Sequence, residues 1–340
     1  MGQVSDGRRP LWRDPLLLSE LEASAVDSAL KGVLKRGTDT LFIGLESQLA
    51  SMREERLVWQ REQPRASFSV AELRALTREL DIRGREALRR DATRRGRMQY
   101  VQTSINGITL DSRRILNPVG FSGTTLEISA THIYVAQDIG EVIERIRSGA
   151  TRVRVRTIVL DRALRKLLLA DGLTLPAVIV QDLSTVVLGA SRSERHVIGI
   201  GEDSIAQHLA RNAAHVDAVE IATFLYAHVR DDRSHRELMA VAQPALHRWA
   251  RATEAILQEL LVGATDTSIP LIFPWRIPSA FRHATSPQVR GHMFKNLPNV
   301  RWQLLSIPEL TAEPQNSRHD AYAALLSTMD TSDPYTMNRT

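Results

Sequence analysis

Arg152-Val153-Arg154-Val155-Arg156-Thr157-Ile158-Val159-Leu160 reads as one β-strand, because arginine and valine alternate with a period of two. Val153 and Val155 fall on one side, toward a core. Arg152, Arg154 and Arg156 fall on the other and form a positive stripe. Just downstream, Arg162 to Leu169 has helical spacing. Ala177–Val180, Thr185–Leu188 and His196–Ile200 are short apolar runs rich in β-branched residues. Strands alternating with short helices predict a small mixed sheet over residues 101–202.

The same region is predicted to begin with a hairpin over Thr103–Leu110, turned at Asn106-Gly107. Leu126–Ser129 and His132–Val135 read as two strands, and Ile139–Ile146 as a short helix.

Residues 1–100 read as a helical bundle. Leu21, Ala25, Ala29 and Val33 share a face, and a second helix is predicted from Thr40 through Leu45, Leu49 and Met52 to Trp59. A third opens at Ser69, whose partner Glu72 completes a capping box ahead of Leu73, Leu76 and Leu80. Residues 203–263 read as a helical hairpin. Ser204 and Gln207 suggest another capping box there, and Pro244 is expected to kink or divide the second helix.

Beyond Gly263, six prolines (270, 274, 278, 287, 298 and 308) are interleaved with Phe273, Trp275, Phe281, Phe294 and Trp302. Such a segment favours extended conformations yet carries rings that avoid water. It is therefore read as an arm over residues 264–340, with those five aromatics forming an oligomer contact. The fold class expected is α+β and predominantly helical: bundle, small central mixed sheet, helical hairpin, extended Pro/aromatic arm.

The 340 residues are 43% hydrophobic, enough for a sizeable core and several domains. There is no cysteine, which excludes disulfides, thiolate–zinc sites, iron–sulfur clusters and thiol catalysis. No apolar run is long enough to span a bilayer, and Ser19-Glu20 interrupts Leu16-Leu17-Leu18 before a secretory signal forms. An intracellular, cytoplasmic setting, or one inside a virus-like particle, is expected.

The net charge of +5 is unevenly spread. Residues 83–166 contain 17 basic and 8 acidic side chains. Arg83, Arg90, Arg94 and Arg97 share one helical face by three- and four-residue spacing, and Arg95 adds to the cluster. With Arg152, Arg154 and Arg156 they form a candidate polyanion-binding surface for RNA or DNA. Arginine codon bias is the plainer account of a chain with only four lysines (31, 35, 166 and 295).

Catalytic signatures are sparse. Gly199-Ile200-Gly201 lacks the third glycine of a dinucleotide fingerprint and is followed by Glu202-Asp203, so it reads as a tight strand-to-helix turn. There is no Walker A sequence, no Ser-x-x-Lys and no paired-histidine metal motif; His208/His215 and His228/His235 stand seven apart. Asp161 and Asp182 each follow an apolar strand, where α/β enzymes place metal- or phosphate-handling acids; both are equally caps or turn residues. No family signature is found, and no cofactor or metal is expected.

The reading favoured by these features is a non-enzymatic structural or assembly protein, capsid-, nucleocapsid- or coat-like, that oligomerises and presents arginines to nucleic acid. An α/β enzyme built on Asp161 and Asp182 is the alternative. An interaction scaffold without a nucleic-acid role comes third.

Overall fold

The computed structural model describes residues 40–91, 97–150, 153–173, 176–191, 194–213, 233–262 and 267–311, with 2–3, 11–12, 221, 224, 225 and 325. The expected helix around Leu21–Val33 lies outside the described residues. The chain divides into two compact units: Met1–Leu45, Leu49–Ile158 and Leu326–Thr340 form one, and Glu46–Gln48 with Val159–Leu325 the other.

In the first unit the strands are β1 (Gly2–Gln3), β2 (Leu11–Trp12), β3 (Thr40–Leu45), β4 (Ala50–Gln60), β5 (Met98–Leu110), β6 (Arg113–Ile115), β7 (Thr125–Ala136) and β8 (Arg154–Val159). Helices α1 (Val70–Arg90) and α2 (Gln137–Gly149) lie between them in sequence. An antiparallel sheet runs β4-β7-β5-β6, and β3 pairs with β8. The capping box is formed as read: Ser69 Oγ accepts the Glu72 N–H at 3.2 Å, and the Ser69 N–H donates back to Glu72 at 2.7 Å. Helix α1 then buries Leu73, Leu76 and Leu80 against Leu57, Ile105, Ile108, Leu126 and Ile128.

Three expectations fail here. Residues 40–60 are strands: β4 pairs with β7 over its whole length, from Ala50 opposite Val135 to Gln60 opposite Thr125. Eleven residues of ladder outweigh a loose helical spacing of Leu45, Leu49 and Met52. Nor does the chain turn at Asn106-Gly107. β5 continues through it, the register slips between Ile105 and Gly107, and Asn106 donates its side-chain amide to Thr131 Oγ1 at 2.9 Å. The hairpin turn is at Asp111-Ser112, whose φ angles of 47° and 66° give the left-handed pair that a two-residue loop needs. Asp111 steadies it by accepting the N–H groups of Thr124 and Thr125 at 3.0 and 2.8 Å. The two strands expected over 126–135 are one, β7.

In the second unit, β9 (Ala177–Val180), β10 (Thr185–Leu188), β11 (Arg195–Ile198), β12 (Thr267–Phe273) and β13 (Val300–Ser306) form a five-stranded sheet of order β11-β10-β9-β12-β13. β9 to β11 are antiparallel, whereas β12 runs parallel to both β9 and β13. The helices are α3 (Leu160–Ala170), α4 (Glu202–Asn212), α5 (Arg233–Leu260) and the short α6 (Ser279–Ala284), α7 (Arg290–Met293) and α8 (Ile307–Thr311). Helix α5 passes through Pro244 undivided.

The architecture is therefore α/β, with 44% helix, 32% strand and several sheets, and not a predominantly helical body. The expected Pro/aromatic arm supplies two strands of this sheet, β12 at its interior. Pro270 is tolerated because β12 pairs with β9 at Leu271 and Ile272, beyond the missing N–H. Phe273, Phe281 and Phe294 are buried with Trp249 in the unit's own core, and Trp302 packs against them. Trp275 is half-buried beneath the Arg276 guanidinium. Phe273, Phe281 and Phe294 thus left water by folding inward, while Trp275 and Trp302 are half-buried.

Candidate functional site

The most constrained polar region of the second unit is the β9–β10 turn, Gln181 to Ser184. Its ends close through the Gln181 N–H to the Ser184 carbonyl at 2.7 Å. Glu46 accepts the Asp182 and Leu183 N–H groups at 3.2 and 3.0 Å, and Gln181 Oε1 accepts the Ser47 N–H at 3.0 Å. On its other side the turn receives α4: the Glu202 and Asp203 N–H groups donate to the Gln181 and Asp182 carbonyls at 2.9 and 2.8 Å. Gly201 makes this approach possible, since a Cβ there would lie 2.4 Å from both carbonyl oxygens. Ser204, read as an N-cap, is instead the third residue of α4 and accepts the Gly201 N–H at 3.1 Å.

The charge here is negative. Burial, then repulsion from Asp182 and, more weakly, Asp203, lifts the Glu46 carboxyl to about 7, against the two backbone N–H donors that favour its ionised form. A helix N-terminus binds phosphate through free N–H groups. At α4 the first two are committed to carbonyls, and carboxylates occupy the approach. Gly199-Ile200-Gly201 is thus a tight strand-to-helix turn, as its sequence suggested. Among the described residues no group of His, Asp and Glu is placed to hold a metal.

Asp161 and Asp182 have different partners. Asp161 sits in the first turn of α3 and is ion-paired with Arg195, which also donates to the Ser47 carbonyl at 2.7 Å. Asp182 belongs to the turn held by Glu46 and α4. The Asp161 carboxylate is neutralised, whereas Asp182 is tied into the turn through its backbone N–H and carbonyl.

The predicted cationic residues divide. Arg83 pairs with Glu79 at 2.8 Å and Glu55 at 3.4 Å, and Arg90 with Glu86 at 2.7 Å. Arg97 and Arg154 are exposed, whereas Arg156 is only 8% exposed. Arg94, Arg95 and Arg152 lie outside the described residues. A buried Arg156 means that β8 does not present its arginines as one open stripe.

Beneath α1 lies a polar chain that sequence spacing did not reveal. His132, fully buried, reaches Glu55 at 3.3 Å through Nε2 and Thr103 at 2.9 Å through Nδ1. Thr103 Oγ1 lies 2.7 Å from the Tyr100 hydroxyl, which donates to Asp81. Gly84 admits these rings, for a Cβ there would lie 2.7 Å from His132 Nδ1. Its members come from β4, α1, β5 and β7, and only the sheet register brings them together.

The fold defines a two-unit α/β protein. The sequence matches no protein-family model and no characterised protein. The structure, however, is similar to a chain of the solved "PilM-PilN type IV pilus biogenesis complex", with a TM-score of 0.51 at 12% identity, covering 94% of this chain and 88% of that one. A second solved structure, a diol dehydratase-reactivating factor in nucleotide-free form, matches 57% of this chain and 40% of its own at a TM-score of 0.28 and 10% identity. The first likeness shows the fold. It overturns the capsid- or coat-like reading, and nothing in it supports a nucleic-acid-binding surface.

Proposed function

We propose that this chain is an assembly protein that works by holding a protein partner within a larger complex. One observation carries the reading: nearly the whole of this chain shares its fold with nearly the whole of a chain solved within a pilus biogenesis complex. The chemistry of the β9–β10 turn agrees with it. Carboxylates and committed N–H groups make that turn a structural lock, not a cradle for phosphate. No helix among the described residues is long and apolar enough to cross a membrane.

The test is to tag the full chain in its native host, cross-link in the cell, and weigh the recovered complexes by native mass spectrometry. A heteromer of defined stoichiometry is expected. Recovery of the free chain alone, with and without cross-linker, overturns the reading; a homo-oligomer alone would replace hetero-assembly with self-assembly.

A further inference from the structure

Helix α1 carries arginines on two sides, and the sides differ. Arg83 and Arg90 are tied to Glu79, Glu55 and Glu86. Arg85 and Arg89, one turn apart, line a separate concavity of about 450 Å3 together with Leu88, Met98, Tyr100 and Glu144. Among the described residues, neither Arg85 nor Arg89 forms an ion pair. The Arg85 guanidinium lies 4.8 Å from the centre of the Tyr100 ring, which is itself nearly buried. Stacked by its face, it keeps an N–H edge for a planar acceptor.

We propose that the Arg85–Arg89 concavity is a recognition pocket for one carboxylate borne on an apolar stretch of a partner protein: a Glu or Asp flanked by aliphatic residues. Two guanidinium groups fix the sign of the occupant. Glu144, held by Arg147 at 2.7 Å, brings negative charge to the same wall and favours a singly charged carboxylate over a doubly charged phosphate. A half-exposed arginine pair contributes little affinity alone. Leu88, Met98 and the Tyr100 ring supply the rest only to an occupant with apolar groups beside its charge. The inference rests on the assembly reading in taking that occupant to be a protein segment.

The probe is the acetylated, amidated pentapeptide Ser-Leu-Glu-Leu-Ser, titrated into the full chain while the arginine Nε–Hε NMR signals are followed; Arg85→Lys and Arg89→Lys assign them. Saturable shifts of both signals are expected, with the glutamine counterpart of the peptide, and acetate, binding about tenfold or more weakly. Arg89→Gln, at an exposed position, should keep the circular dichroism spectrum and lose about tenfold in affinity. Equal binding of the two peptides, tighter binding of inorganic phosphate than of the glutamate peptide, or no saturable shift up to ~10 mM overturns the proposal. If cross-linked partners are found but the peptide is silent, only the pocket assignment fails. If the peptide binds but no partner is ever recovered, only the assembly reading fails.

Discussion

Glu46 and Leu183 stand 137 residues apart in the chain, yet the Glu46 carboxylate accepts the Leu183 N–H at 3.0 Å and spans the β9–β10 turn through its second oxygen on Asp182. A carboxyl lifted to about 7 by burial and by neighbouring acids is a strained choice for such a clasp. Its pH dependence follows directly.

The folded pKa of Glu46 lies above its ordinary value of 4.5, so the native state binds the proton more tightly than the unfolded chain. The stability it contributes is fully present below about pH 4.5 and is lost as pH rises through about 7. The loss is roughly 3 kcal/mol. Glu46→Gln keeps an acceptor and removes the titration. Urea denaturation at about pH 5 and pH 8 should show wild type losing more stability than the variant. Parallel losses in both would count against this role.

Gly201→Ala should destabilise the second unit by roughly 3 kcal/mol, because the new Cβ meets backbone that cannot step aside. Gly199→Ala has its nearest obstacle at 4.0 Å, a flexible Gln48 side chain, and should cost less than about 1 kcal/mol. Chemical denaturation of the pair decides it; similar values for both would refute the tight-approach account.

His132 responds to pH with the opposite sign. Burial holds its imidazole below the ordinary 6.5, opposed by the hydrogen bond to Glu55. The stability it lends the first unit is complete above pH 6.5 and declines as pH falls toward the folded pKa. After correction for intrinsic rates, amides of β5 and β7 should exchange faster at about pH 5 than at about pH 7.5. His132→Gln should flatten that difference.

Strands β12 and β13 belong to a core, so removal of residues 270–340 should unfold the second unit and not merely free a monomer. The cut takes most of β12, all of β13, and Phe273, Phe281 and Phe294 from around Trp249. Trp249→Ala, which also abandons the 3.0 Å bond from its indole to Thr185, should cost about 3–5 kcal/mol. A truncated chain that still melts cooperatively as two units would contradict this packing.

Local signals were legible without a structure. The Ser69–Glu72 box placed the start of α1, and runs such as Ala177–Val180 and Thr185–Leu188 are strands where their composition put them. The chemistry of these signals is complete within a few residues. The absence of cysteine needed no fold at all.

Tertiary structure decided the rest. The lone spacing of Leu45, Leu49 and Met52 could not announce that β7 would pair with Ala50–Gln60. Asn106-Gly107 has turn chemistry, but a continuous neighbouring strand made it a bulge. Phe273, Phe281 and Phe294 had to leave water, and only the sheet determined that they leave it inward. Likewise, arginine spacing marked one face through Arg83 and Arg90, while the placement of Glu55 on β4 helped decide that Arg83 is neutralised there. Helical phase and strand alternation are set by neighbours along the chain. Pairing partners, burial and local charge are set by residues up to 148 positions away.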